Sequence, residues 1–184
     1  ELGDYKDAVE KLEELRLIIT KEQIEDAKVG DCITFGTYEQ DNDTSNGEEN
    51  VEWLVLDIQD GKLLVISKYA LDCKRYNTSY ENVTWEKCTL RSWLNNEFMN
   101  AAFTDEEKTK IPTVTVSADT NPEYDTNPRN ATQDKIFLLS KVEAKKYFIS
   151  DADRMCKTTA YALAQGAWES DGYCLWWLRS PGER

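Results

Sequence analysis

Apolar residues recur at Leu2, Tyr5, Ala8, Val9, Leu12, Leu15 and Ile19 with charges between them, the spacing of an amphipathic helix. Thr20 followed by Gln23 has the form of a capping box, which predicts a second short helix to about residue 27. From Asp31 the period changes to two, and residues 31–37, 52–58 and 62–67 read as strands. Asp60-Gly61 joins the last two with the strongest short hairpin signal in the chain. Helical spacing returns over residues 90–103, with Leu90, Trp93, Leu94, Phe98 and Ala102 on one face. Thr104 with Glu107, and Ser140 with Glu143, predict two more capped helices, one stopping before Pro112 and the other near Phe148. Residues 113–117, 135–139 and 173–179 read as strands, the last ended by Pro181-Gly182. A short helix is expected over 158–165, capped by Gly166, and a long polar loop over 118–133. This order implies an α+β domain over 29–184, mainly antiparallel sheets with a few short helices, preceded by an N-terminal helical segment over 1–28.

Composition narrows the chemistry. The 184 residues suffice for one domain with a small appendage, and 40% hydrophobic content supports a packed core. The net charge of −13 repels phosphate backbones and anionic lipid, so nucleic acid is excluded as a partner. That acidity is either a solvated surface or a set of carboxylates that holds a cation. Histidine is absent, which removes Ser-His-Asp and Cys-His catalysis and the commonest zinc ligand. The five cysteines, Cys32, Cys73, Cys88, Cys156 and Cys174, form no C-x-x-C pair. They are expected to be buried thiols, or to include a disulfide, with Cys73 and Cys88 the nearest pair in question. No apolar run is long enough to span a membrane, and Gly-rich phosphate loops are lacking. A start at Glu1, without Met or a signal peptide, reads as an excised or processed chain.

Seven blocks occur in order: Ile33-Thr34-Phe35-Gly36-Thr37-Tyr38; Glu52-Trp53-Leu54-Val55-Leu56-Asp57; Leu64-Val65-Ile66-Ser67-Lys68-Tyr69-Ala70-Leu71-Asp72; Leu90-Arg91-Ser92-Trp93-Leu94-Asn95; Asp134-Lys135-Ile136-Phe137-Leu138-Leu139-Ser140; Thr159-Ala160-Tyr161-Ala162; and Trp176-Trp177-Leu178-Arg179-Ser180-Pro181-Gly182. Together, over residues 29–182, they resemble a domain of unknown function found in multi-domain surface proteins of anaerobic gut bacteria. The resemblance implies a secreted or cell-surface location. Leu2-Gly3-Asp4-Tyr5-Lys6-Asp7-Ala8 resembles the tetratricopeptide-like repeats that precede such domains, here as a remnant. The resemblance also implies a polar segment and a final strand beyond the Trp-Trp block, so the chain is expected to be truncated at its C-terminus. The style of that block is similar to C-type-lectin-like folds of the formylglycine-generating-enzyme kind, although fold does not fix function.

The candidate site residues each have a structural alternative. Tyr76, Tyr80, Trp85 and Trp168 lie in irregular segments and could stack on a sugar ring, or serve the core. Asp119, Asn121 and Asp125 could ligate Ca²⁺ in the long loop, and Asn121, Asp125 and Asn127 could contact a ligand; Asn and Asp are also ordinary turn residues. The stretch from Asp41 to Gly47, with Glu52, approaches a calcium-loop pattern but places its glycine one position late. Arg91, Arg179, Trp176 and Trp177 are expected to be structural, the arginines paired with carboxylates such as Asp72 or Asp57. No catalytic residue is assigned and no cofactor is required, Ca²⁺ apart. Three functions remain open: a non-catalytic module binding a glycan or a protein, a divergent carbohydrate-active enzyme using paired carboxylates, and a structural spacer.

Overall fold

The structure, a computed structural model, describes residues 25–182. The amphipathic helix and the Thr20 capping box expected in the first 24 residues lie outside that range. The described residues fall into two compact units, one within Glu1–Phe35 and Asn50–Lys68 and the other within Gly36–Glu49 and Tyr69–Arg184. Mixed α+β architecture with short helices follows the expectation from sequence.

Strands β1 (Cys32–Tyr38), β2 (Glu49–Gln59) and β3 (Lys62–Ser67) form a sheet in that order. The hairpin sits where Asp60-Gly61 placed it: Gln59 faces Lys62, and Asp60 and Gly61 have φ of 51° and 69°. Two successive positive φ values define the tight turn whose twist matches that of the strands. A bulge between Val55 and Asp57 shifts the β2–β3 register. In the first unit Ile33, Val51, Val55 and Leu56 are buried, and the Trp53 indole N–H donates to the Phe35 carbonyl at 2.7 Å.

The second unit holds two small sheets. One has the order β4 (Tyr69–Ala70), β7 (Cys156–Thr158), β9 (Tyr173–Cys174), β8 (Glu169–Ser170), with β4 and β7 parallel and the other pairs antiparallel. The other pairs β5 (Val114–Val116) with β6 (Thr132–Asp134). Helix α1 (Thr89–Trp93) passes through a π turn (Leu94–Phe98) into α2 (Met99–Ala102). Both expected capping boxes are present, at the starts of α3 (Asp105–Lys110) and α4 (Lys141–Tyr147). A single 3₁₀ turn (Ala152–Arg154) precedes β7, and α5 (Ala160–Ala164) follows it. Trp85, Cys88 and Leu90 are buried together, with Tyr76, Trp93, Leu94 and Phe137 packed against them.

Two expected strands differ. Residues 135–139 form no ladder; Thr132–Asp134 is the strand instead. Side chains take the place of a neighbouring strand. Asn95 Oδ1 accepts from the Lys135 and Ile136 N–H groups at 2.8 and 3.2 Å, and its Nδ2 donates to the Ile136 carbonyl at 2.8 Å. The Arg179 guanidinium donates to the Leu138 carbonyl at 2.8 Å, and its backbone N–H donates to the Leu139 carbonyl at 3.0 Å. The backbone polar groups are satisfied as burial demands, without a β partner. The expected strand over 173–179 is shorter than predicted and stops at Cys174.

Candidate functional site

Arg179 organises the end of the second unit. Its side chain is only 2% exposed. The guanidinium donates to the Ser117 carbonyl at 3.1 Å, the Leu138 carbonyl at 2.8 Å, Asp119 Oδ2 at 3.0 Å and both oxygens of Glu143. The planar fork suits this many convergent acceptors, and without them a buried charge would be costly. The following residues continue the latch. Ser180 Oγ accepts from the first N–H of α4, that of Lys141, at 2.9 Å. The Pro181 carbonyl accepts from Asn121 Nδ2 at 3.0 Å, and that of Gly182 from Thr126 Oγ1 at 2.9 Å. Arg-Ser-Pro-Gly thus ties down the loop that follows β5.

The anchored loop forms one rim of an open cleft of about 1380 Å³. Residues 75–84 and Trp177 line it as well. The Trp177 ring packs on Tyr76, with centroids 5.6 Å apart and planes tilted by 59°. Its N–H donates to the Lys74 carbonyl at 3.0 Å, which fixes the ring while leaving the residue 53% exposed. Tyr80 is fully exposed at the cleft edge. Asn77, Asn82, Asn127 and Asn130 supply amides, and Arg75 and Arg129 supply guanidinium groups. An Asx turn, Arg129 N–H to Asn127 Oδ1 at 2.8 Å, holds Arg129 at a positive φ of 73°. On the other side, Asn130 Nδ2 donates to Glu86 at 3.1 Å, and that hydrogen bond holds the Glu86 carboxyl below the usual carboxylate range.

The structure brings Tyr76, Tyr80 and Asn127 together in this cleft. Trp85 is elsewhere: it is 5% exposed, its N–H donates to Asp134 at 3.0 Å, and no ring face is open for stacking. Trp168 is 60% exposed and lines a separate apolar pocket of about 440 Å³ with Met155, Tyr173, Leu175 and Trp176. Trp176 donates to the Arg154 carbonyl at 3.0 Å and meets Phe148 edge to face. The sequence placed Trp177 with the structural residues and did not single out Arg75, Arg129, Asn82 and Asn130, all of which line the cleft. For Trp177, the only available signal was that two adjacent tryptophans must diverge.

The expected Ca²⁺ trio is not assembled. Asp119 is taken by Arg179, and Asn121 is buried with its amide on Pro181 and its oxygen on the Glu123 N–H at 3.1 Å. Asp125 is exposed. Among the described residues, Glu39, Asp41 and Glu49 are the carboxylates close enough to share an ion, with ligand atoms within 4.8 Å of one another. Their oxygens already accept from the N–H groups of Asn42, Asp43, Gln40 and Asp41. The arginine partners also differ from Asp72 and Asp57. Arg91 Nε pairs with buried Asp134 at 2.6 Å, whereas Asp72 takes the Tyr38 hydroxyl at 2.7 Å and Lys74 at 3.2 Å. Cys73 and Cys88 form no disulfide.

A family described as a domain of unknown function (DUF6273) matches residues 60–184. The chain belongs to that family. No curated protein and no solved structure matches it. The DUF6273 segment begins at the hairpin turn and contains every cleft residue named above as well as the Arg179 latch. Glu39, Asp41 and Glu49 fall outside the DUF6273 segment, so the acidic cluster and the cleft belong to different parts of the chain. Among the described residues, no helix is long and apolar enough to cross a membrane.

Proposed function

We propose that the second unit is a non-catalytic glycan-binding module of a secreted or surface-anchored bacterial protein. The cleft beside Trp177 is its site. The observation that carries this reading is the half-exposed Trp177 ring, fixed by Tyr76 and Lys74 among amide, hydroxyl and guanidinium side chains. A sugar ring offers apolar C–H groups to an aromatic face and hydroxyls to surrounding amides, and this lining provides both. The extracellular setting rests on the resemblance of the motif blocks. Of the cleft carboxylates, Glu86 is held below the usual range by its hydrogen bond from Asn130, which does not suit the acid role of a glycosidase pair.

The test is a glycan array on the full chain, followed by titration of any hit with Trp177→Ala and Tyr80→Ala, with and without Ca²⁺. Loss of the Trp177 face is expected to weaken binding about tenfold or more, close to 1.4 kcal/mol. Ca²⁺ is expected to change neither affinity nor melting temperature. Silence across the array at millimolar glycan, or a hit unmoved by both variants, would sink the proposal and favour a protein ligand or a spacer.

A further inference from the structure

Cys156 in β7 and Cys174 in β9 face each other as register partners across an antiparallel pair. Such partners have Cα atoms roughly 4.5–5.5 Å apart, within the span of roughly 4.4–6.8 Å that a disulfide accepts. Each cysteine is also close enough to the other to act on its titration, while Cys156 Sγ donates to the Lys157 carbonyl at 3.6 Å. Cys174 is buried and Cys156 half-buried. The β7–β9 ladder is only two residue pairs long, and β9 leads directly into the segment that carries Trp176, Trp177 and Arg179. Metal binding fits less well. Among the described residues, no third His, Cys, Asp or Glu stands with the two sulfurs at ligand distance.

We propose that Cys156 and Cys174 are a cross-strand dithiol that closes to a disulfide in an oxidising compartment, stapling β9 to β7 at the root of the Trp-Trp segment. The co-reactant is a small-molecule or protein disulfide. A thiolate of the pair attacks it to give a mixed disulfide, and the second cysteine displaces the remaining thiol. One sulfur–sulfur bond forms in the protein while that of the oxidant breaks. The two cysteines lose two electrons and two protons, and the oxidant leaves as two thiols. Burial, together with the neighbouring Cys174, pushes the Cys156 thiol up to about 12. Burial raises Cys174 as well. Thiolate is therefore scarce, which suits a structural bond formed once and slowly rather than a fast sensor.

The full chain is incubated with oxidised glutathione and then alkylated, digested and mapped by mass spectrometry. A peptide linking Cys156 to Cys174 is expected, with a loss of about 2 Da and a rise in melting temperature of roughly 5–10 °C. Faster closure as pH rises from 7 to 9 is also expected. Cys73 lies near enough to Cys174 to interact with its charge, so Cys73→Ser is run in parallel and should leave the link intact. Cys156→Ser, at the more exposed position, should abolish the link and the rise in melting temperature. A Cys73–Cys174 or Cys73–Cys88 link, persistent mixed disulfides without closure, or no reaction in guanidine-free buffer at pH 9 would each overturn the proposal. None of these outcomes depends on glycan binding.

Discussion

At the scale of single residues, Arg179 is the side chain on which most depends. Its fork meets two carboxylates and two backbone carbonyls, with the Phe137 ring at 6.0 Å from the guanidinium carbon. Glu143 is shared, because one of its oxygens also closes the capping box by accepting from the Ser140 N–H at 2.8 Å. Removing the cation would leave buried acceptors and paired acids without their donor. Arg179→Met is expected to cost about 3–5 kcal/mol in urea unfolding. Arg179→Lys should recover only part of that, because an ammonium cannot serve acceptors arrayed in a plane. A cost below about 1 kcal/mol for the Met variant would show that the network is not structural. That Arg91 and Arg179 would be paired was legible from their apolar surroundings. Their partners were not, since Asp134 and Glu143 lie 43 and 36 residues away in sequence.

At the scale of elements, local signals read well wherever the structure is local. The Asp60-Gly61 hairpin and the capping boxes at Thr104 and Ser140 each depend on residues within a few positions. Residues 135–139 show the opposite case. Their apolar run looks like a strand, but Asn95, on a π turn some forty residues earlier, satisfies their backbone. Gly36 illustrates a constraint from a neighbouring element. Its φ is +73°, and an added Cβ would lie 2.5 Å from the Ala102 carbonyl oxygen and 2.7 Å from the Phe103 ring. Gly36→Ala therefore combines strain with a clash against backbone at the end of α2. It is expected to destabilise by about 2 kcal/mol or more, read as a lower urea midpoint with unchanged slope. Neutrality at this position would mean that the approach of Gly36 to Phe103 relaxes freely.

For the whole molecule, the excess of acid sets the response to pH. Hydrogen bonds or cations hold several carboxylates below their ordinary range: Lys141 acts on Glu123, Asn46 on Asp41, and Asn130 on Glu86. At Asp119 burial pushes upward and is outweighed by Ser117, Ser140 and Arg179. Such groups bind fewer protons folded than unfolded, so their contribution is full at neutral pH and is lost as pH falls through about 4 and below. Glu39, pushed up by burial, opposes them and titrates at the higher end. Melting temperature is therefore expected to fall between pH 5 and pH 3, and Asp119→Asn should flatten part of that fall. An unchanged profile in the variant would separate Asp119 from acid sensitivity.

The sequence by itself determined the α+β class, the hairpin, the helix starts, the absence of histidine chemistry and the resemblance to a domain of unknown function. These follow from composition, from periodicity and from contacts between near neighbours. Only the tertiary structure decided which aromatic faces stay open. It buried Trp85 on Asp134, left Trp177 half-exposed on Tyr76, and set Cys156 against Cys174. The physical reason is the same in each case. Burial and partner choice depend on distant segments meeting, and side-chain hydrogen bonds from Asn95, Arg179 and Asn121 direct that meeting without leaving a periodic trace.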